Sequence, residues 1–344
     1  MGIPANVTTY GDISPRTAGA VKARLLERGQ HLMVVERFGQ VDPQQKNKTK
    51  SCKWRRYNSF PRAIQPLAEG IPPAGQKLTY TDITATLEQY GDAYKLTDVI
   101  VDTHEDKVLQ EMTDLAGECA AETIETIRIN ILKAGTNVFY ANGATSRSTV
   151  NSPPTRGDFR LIYRYFKNNK AREISQIIAA SAKISTEPVM PSYFCMGHTN
   201  LDSDIRNIPG FIPVKNYADS TKALPGEIGS VEQFRIILTP MFEPWLKAAT
   251  SASGTDYLSG GVEVSSAGYP DVYYLLCVAR DAYGIVPLQG FNAVTPAVVN
   301  PKPAAGDPLG QIGWVSWKTY QTAAILNEAW IARLECCATA RPTD

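Results

Sequence analysis

Residues 53 to 88 constrain this chain more than any other stretch. From Lys53 to about Leu67 the pattern is extended, and Glu69-Gly70-Ile71-Pro72-Pro73-Ala74-Gly75 is a dense reversal signal. The return limb alternates Ile83, Ala85 and Leu87 with Thr84, Thr86 and Glu88, and threonines at 79, 81, 84 and 86 favour a pleated strand. The two limbs predict one long β-hairpin. A two-stranded hairpin is marginal in water, and this one has few apolar side chains per limb, so it needs a further surface to lie on. A neighbouring subunit is one source of that surface.

The charge pattern bears on what that surface is. Between Asp42 and Arg62 the chain carries Lys46, Lys48, Lys50, Lys53, Arg55, Arg56 and Arg62 against Asp42 alone, a local net charge of +6. Trp54, Tyr57 and Phe60 are interleaved, so the segment Lys46 to Arg62 admits an alternative reading as a grip on single-stranded nucleic acid. From about His104 to Lys133, Val108, Met112, Leu115 and Cys119 step by four, three and four, and Ile124, Ile127 and Ile131 continue the stripe. Thirty helical residues would span roughly 45 Å. Over residues 104 to 128 the other face of this helix carries Glu105, Asp106, Glu111, Asp114, Glu118, Glu122 and Glu125 against Lys107 and Arg128, a local net of −5. A solvated helix face accounts for the acids alone. A basic limb docking on an acidic protein surface accounts for both runs, which makes Lys53, Arg55, Arg56, Arg62, Glu111, Glu118 and Glu122 candidate inter-subunit contacts.

Elsewhere, Val21, Leu25 and Leu32 recur at helical spacing before the hairpin, and Asn142 to Gly157 reads as a loop. Helical spacing returns over 158 to 184. Candidate strands are Ser192 to Gly197, Val231 to Thr239, Val272 to Ala279, and Trp314 to Leu334 divided by a helical turn. Pro287 to Pro308, with its five prolines, reads as an extended connector. No internal repeat occurs. A chain of 344 residues has room for about two domains. Its net charge of +1 gives no global field, and the longest apolar run, Val272 to Ala279, is far too short to cross a bilayer. The amino terminus has neither the basic start nor the apolar stretch of a secretory signal, and Asn6 stands where a myristoylation pattern needs Ser or Thr. The six cysteines form no CxxC pair, which predicts six free thiols in a reducing compartment.

Catalytic constellations are missing. His31, His104 and His198 lie in three unrelated segments, and no HExxH, P-loop, GxSxG or GxGxxG is present. His198 with Asp202 and Asp204 matches neither a calcium loop nor a zinc pattern, and a turn with a helix cap at Asp202 explains it better. Arg156-Gly157-Asp158 is read as a chance tripeptide, and the sequons at Asn6 and Asn47 mean nothing without secretion. The expectation is a protein that is not an enzyme and uses no cofactor or metal.

Trp54-Arg55-Arg56-Tyr57, Leu67-Ala68-Glu69-Gly70, Gln89-Tyr90-Gly91, Leu96-Thr97-Asp98, Gly226-Glu227-Ile228-Gly229 and Asp307-Pro308-Leu309-Gly310-Gln311-Ile312-Gly313-Trp314 occur in that order. Together with the order of basic arm, hairpin, long helix and strand-rich half, they resemble the major capsid proteins of tailed double-stranded-DNA bacteriophages. The likeness is to the family typified by coliphage N-four, with the Hong Kong ninety-seven type fold. The resemblance implies an α+β subunit with an amino-terminal arm (1–50), an extended loop (51–103), a peripheral domain with a spine helix (104–190), an axial domain (191–300), and a connector returning to the peripheral domain (301–344). It implies pentamers and hexamers tiling an icosahedral virion shell around packaged DNA, which is touched only weakly on the inner surface, with assembly in the bacterial host cytoplasm. Portal and decoration proteins are expected partners. Because family-like residues begin by about Leu25, a separate scaffolding protein is expected, and no lysine and asparagine pair is singled out for cross-linking.

Overall fold

The computed structural model describes residues 33–45, 49–64, 66, 70, 75–103, 108–174, 191–217, 223–250, 264–266, 269–288, 294–299, 301, 303 and 306–340. The expected amphipathic helix around Val21 to Leu32, both sequons, Lys46, Lys48, and 175–184 of the second helical stretch lie outside the described residues.

In chain order the strands begin with β1 (Gln40–Val41), β2 (Ser51–Tyr57), β3 (Tyr80–Thr86), β4 (Glu88–Thr97) and β5 (Val138–Tyr140). They continue with β6 (Tyr193–Gly197), β7 (Phe211–Pro213), β8 (Glu227–Val231), β9 (Phe234–Leu238), β10 (Val264–Ser266) and β11 (Tyr269–Pro270). The last are β12 (Tyr273–Val278), β13 (Tyr283–Pro287), β14 (Val294–Val299), β15 (Ile312–Ile325) and β16 (Ile331–Cys336). The helices are α1 (Asp98–Thr103), α2 (Val108–Lys133), α3 (Arg156–Asn168) and α4 (Asp202–Arg206).

The hairpin is present: β2 and β3 are antiparallel, with Ser51 opposite Thr86 and Tyr57 opposite Tyr80. Its return limb then continues into the body. At Leu87, whose N–H donates to the Lys50 carbonyl at 2.8 Å, the chain passes into β4. That strand pairs with β15 over its full length, from Glu88 opposite Gln321 to Thr97 opposite Ile312. On its other side β15 pairs with β13 and β14, and β1 lies parallel on β13. The proline-rich connector therefore contains a strand. Pro296 is tolerated because β14 is an edge strand, where a missing N–H costs no inner ladder bond.

The second sheet has the order β5-β16-β12-β6-β9-β8-β7. One face is covered by α3 through Phe159, Ile162 and Phe166, packed with Tyr193, Phe234 and Leu275. The other face receives Ile129 and Leu132 of α2 and Val34, Val35 and Phe38, against Phe194, Met196 and Leu276. Both faces being covered explains the near-continuous apolar run of β12. The expected strand Val231 to Thr239 is β9; Val231 itself ends β8, and Glu232 makes a left-handed turn at φ 50° between the two.

Among the described residues α2 begins at Val108, and α1 comes before it in the chain. Its packing stripe is shifted from the expected one: Leu115 is exposed, while Ala116 and Ala120 pack on Leu96, Val315 and Trp317. Small residues let the helix approach the sheet where Trp317 fills the gap. Helix α3 stops at Asn168. Lys170 adopts φ 53°, the Ala171 N–H donates to the Phe166 carbonyl and the Lys170 N–H to the Lys167 carbonyl, which is a Schellman ending.

One expectation is corrected. Cys195 and Cys277 are register partners on β6 and β12, 4.1 Å apart at Cα, and form a disulfide. Their 82-residue separation hid the pairing, because only the strand register brings them together. Cys52, Cys119, Cys336 and Cys337 are free. Alkylation of the denatured, unreduced chain should modify those four residues only; six modified sites in mass spectrometry would show that the bond does not form.

Candidate functional site

The hairpin packs on the body through a small cluster at its base. Cys52, Leu87 and Val286 pack with Trp54 and Leu288, and the Trp54 ring lies close against Gly284, where a Cβ would come within 2.6 Å of it. Beyond the base the limbs bury little. Tyr57, Phe60, Ile64, Leu78 and Tyr80 are all exposed large apolar side chains, so the limb carries an uncovered aromatic and aliphatic surface.

Of the candidate cations, Lys53, Arg56 and Arg62 are exposed and form no ion pair among the described residues. Arg55 differs. It faces its cross-strand register partner Asp82, with Nε to Oδ1 at 2.8 Å and Nη2 to Oδ2 at 2.9 Å, and its guanidinium lies 4.0 Å over the Tyr80 ring. The Arg55 hydrogen bond holds the Asp82 carboxyl below the usual carboxylate range. Arg55 thus serves the hairpin's own ladder, a role hidden in the sequence because its partner lies 27 residues away.

On α2, Glu111 and Asp114 are exposed and Glu118 and Glu122 half-buried. Glu125 does not belong to that face. It is buried, and its Oε1 accepts the N–H groups of Val34 and Val35, each at 2.9 Å. Burial raises its pKa, opposed by those two backbone hydrogen bonds. Arg128 is buried as well, donating to Glu36 at 3.1 Å and to Gln321 at 3.0 Å. The two sets of candidate contacts, hairpin cations and helix carboxylates, form no ion pair with each other within the subunit among the described residues.

The remaining sequence features resolve into local structure. His198 caps a helical turn by accepting the Asn200 N–H, Asp202 pairs with Arg206, and Asp204 accepts from the N–H and hydroxyl of Thr339. The cap is therefore His198 rather than Asp202, and no group of metal ligands occurs among the described residues. Within Arg156-Gly157-Asp158 the aspartate is buried as the N3 residue of a capping box with Thr155. Burial pushes the Cys52 thiol up to about 11, aided by its bond to Asp42, and Cys337 up to about 12, so neither is a ready nucleophile. No helix is long and apolar enough to cross a membrane among the described residues.

The family profile described as Phage capsid protein matches residues 80–334, three quarters of the chain. The chain belongs to this family. The capsid protein is also 26% identical over 279 residues to the major capsid protein of Pseudomonas phage KPP21, a match covering 73% of this chain and 66% of that relative. It therefore spans just under two thirds of that relative's length. Its fold is that of the capsid of Ralstonia phage GP4, at TM-score 0.64 and 10% identity over 89% of this chain and 88% of that one. The capsid of cyanophage P-SCSP1u gives TM-score 0.57 and 12% identity over 89% and 88%. The holo-SrpI encapsulin complex of Synechococcus elongatus shares the fold too, at TM-score 0.52 and 12% identity over 92% and 91%. The α+β Hong Kong ninety-seven type architecture is thus established for this virion protein, while the likeness to coliphage N-four stands on the short motifs alone.

Proposed function

We propose that this capsid protein is the major coat subunit of an icosahedral shell, assembled as pentamers and hexamers around packaged DNA in the host cytoplasm. The observation that supports this reading best is the hairpin: among the described residues it exposes five large apolar side chains and at least three cations that form no ion pair with a carboxylate. Such a limb is completed by a neighbouring copy, whose α2 offers Glu111, Asp114 and Glu118. Exposed ion pairs are worth about 0.2–1 kcal/mol each, so the effect lies in their number and in register. A scaffolding protein, a portal and decoration proteins complete the proposed set of partners. The reading assigns no catalytic role to any residue.

Replacing Lys53, Arg56 and Arg62 by Glu, with Arg55 kept for its bond to Asp82, should abolish closed particles in light scattering and electron microscopy. Circular dichroism of the subunit should be unchanged. Adding Glu111→Lys and Glu118→Lys in the same chain should restore part of the assembly. Normal assembly of the first variant, or no rescue by the second, would separate the two charge runs.

A further inference from the structure

A second basic surface lies away from the hairpin. Between Arg156 and Glu173 the chain carries Arg156, Arg160, Arg164, Lys167, Lys170 and Arg172 against Asp158 and Glu173, and Asp158 is buried in its cap. Phe159, Ile162 and Phe166 turn one face of α3 into the core. Arg160, Arg164 and Lys167 follow one another along the exposed face at spacings of four and three, covering about 10 Å of helix. Lys170 and Arg172 extend the line past the Schellman turn, and both are exposed. Glu232 accepts from Arg156 and Arg160, and Glu173 from Lys167. Arg164, Lys170 and Arg172 form no ion pair among the described residues.

The composition of this face separates it from the hairpin. Protein interfaces are anchored by apolar and aromatic side chains at their centre. The hairpin exposes five of them, whereas on α3 and the turn after it Leu161 is the single exposed large apolar residue among the described ones. A line of cations with almost no apolar area is suited to a polyanion whose charges are closely and regularly spaced, and four of the six cations are arginines, whose planar forks match phosphate oxygens.

We propose that the exposed face of α3, continued by Lys170 and Arg172, is where the subunit lies against the phosphate backbone of duplex DNA. The inference rests on the coat-protein reading above, and it assigns residues to a contact that the sequence left unplaced. Binding is non-specific, carried by backbone phosphates and strongly salt-dependent.

The test titrates the full-length unassembled subunit with a 30-base-pair duplex of mixed sequence over a range of salt concentrations. Counterion release gives a slope of log affinity on log salt of about −0.9 per phosphate contact, so the triple variant Arg164→Gln, Lys170→Gln, Arg172→Gln should flatten the slope by about 2 to 3. The hairpin variant Arg56→Gln, Arg62→Gln should leave the slope unchanged, and polyglutamate should compete poorly. An unaltered slope in the triple variant overturns the proposal, as does a slope lost only in the hairpin variant. Polyglutamate competing as well as DNA overturns it in favour of an acidic protein partner. Particle formation is scored separately, with and without a co-expressed scaffolding protein: the triple variant should assemble as wild type does, and a wild-type chain that assembles under neither condition refutes the coat reading whatever the titration gives.

Discussion

Replacing Glu335 by alanine is expected to lower the free energy of unfolding by about 3–5 kcal/mol, the cost of removing one partner from a buried ion pair. The Glu335 side chain is 0% exposed. Its Oε2 accepts from Arg147 Nε at 2.8 Å, and its Oε1 accepts from Arg147 Nη2 at 2.7 Å and Arg333 Nε at 2.9 Å. Arg333 also donates to the carbonyls of Lys133 and Gly135, closing the end of α2, so this one carboxylate on β16 fixes the long helix to the second sheet. Lys133 and Arg147 both lie over the Trp245 ring, at 4.2 Å and 3.6 Å. Burial and then Arg147 lower the Lys133 pKa, the mark of a site already crowded with positive charge. Without Glu335 three cations would face one another there. Glu335→Gln keeps the volume and part of the hydrogen bonding, so its loss should be smaller. Urea unfolding of the three proteins settles the order, and an alanine variant within about 1 kcal/mol of wild type would show that the pair contributes little.

This pair also shows where sequence reasoning stops. Local periodicity exposed the hairpin, helix α2, strand β12 and the division of Trp314 to Leu334 into β15 and β16, because each depends on neighbours within a few residues. The Glu335 partner Arg147 lies 188 residues away, and the Cys195 partner Cys277 lies 82 away. Such contacts are products of strand order, which periodicity does not report. Glu125 was hidden for a different reason. On the helix it continues a row of carboxylates, and nothing local distinguishes the one that is covered from those that face outward. The cation line on α3 is legible in the sequence, where Arg156, Arg160, Arg164 and Lys167 repeat at helical spacing opposite the apolar stripe. For the hairpin, the sequence exposed the need for a partner surface, and the structure shows which cation, Arg55, is already engaged.

Glu125→Ala is expected to cost about 2–4 kcal/mol and to free the segment from Val34 to Phe38, because it leaves two buried N–H groups without an acceptor. Val34 and Val35 are fully buried, the Tyr283 hydroxyl donates to the Val35 carbonyl at 2.6 Å, and Phe38 stacks on Phe194 at 4.2 Å. The segment is thus held to α2, β13 and β6 at once. Glu125 Oε2 is buried with no partner, whereas Oε1 takes both N–H groups. A proton on Oε2 therefore relieves the buried charge while Oε1 keeps its two bonds, and Arg128 and Glu36, the nearest charged groups, stay paired with each other. The sign follows from the raised pKa. The folded chain takes up this proton before the unfolded chain does, so the Glu125 contribution to stability is fully present below its ordinary value of 4.5 and is lost as pH rises through the folded value. Glu125→Gln, whose amide oxygen still accepts both N–H groups, should lose less than about 1 kcal/mol near neutral pH and remove that dependence. The difference in unfolding free energy between wild type and Glu125→Gln, followed from pH 7 down to pH 4, should therefore move in favour of wild type as pH falls. A difference that stays flat, or moves the other way, would mean that Glu125 remains ionised in the folded subunit, held by the two N–H groups and Arg128 against the cost of its burial.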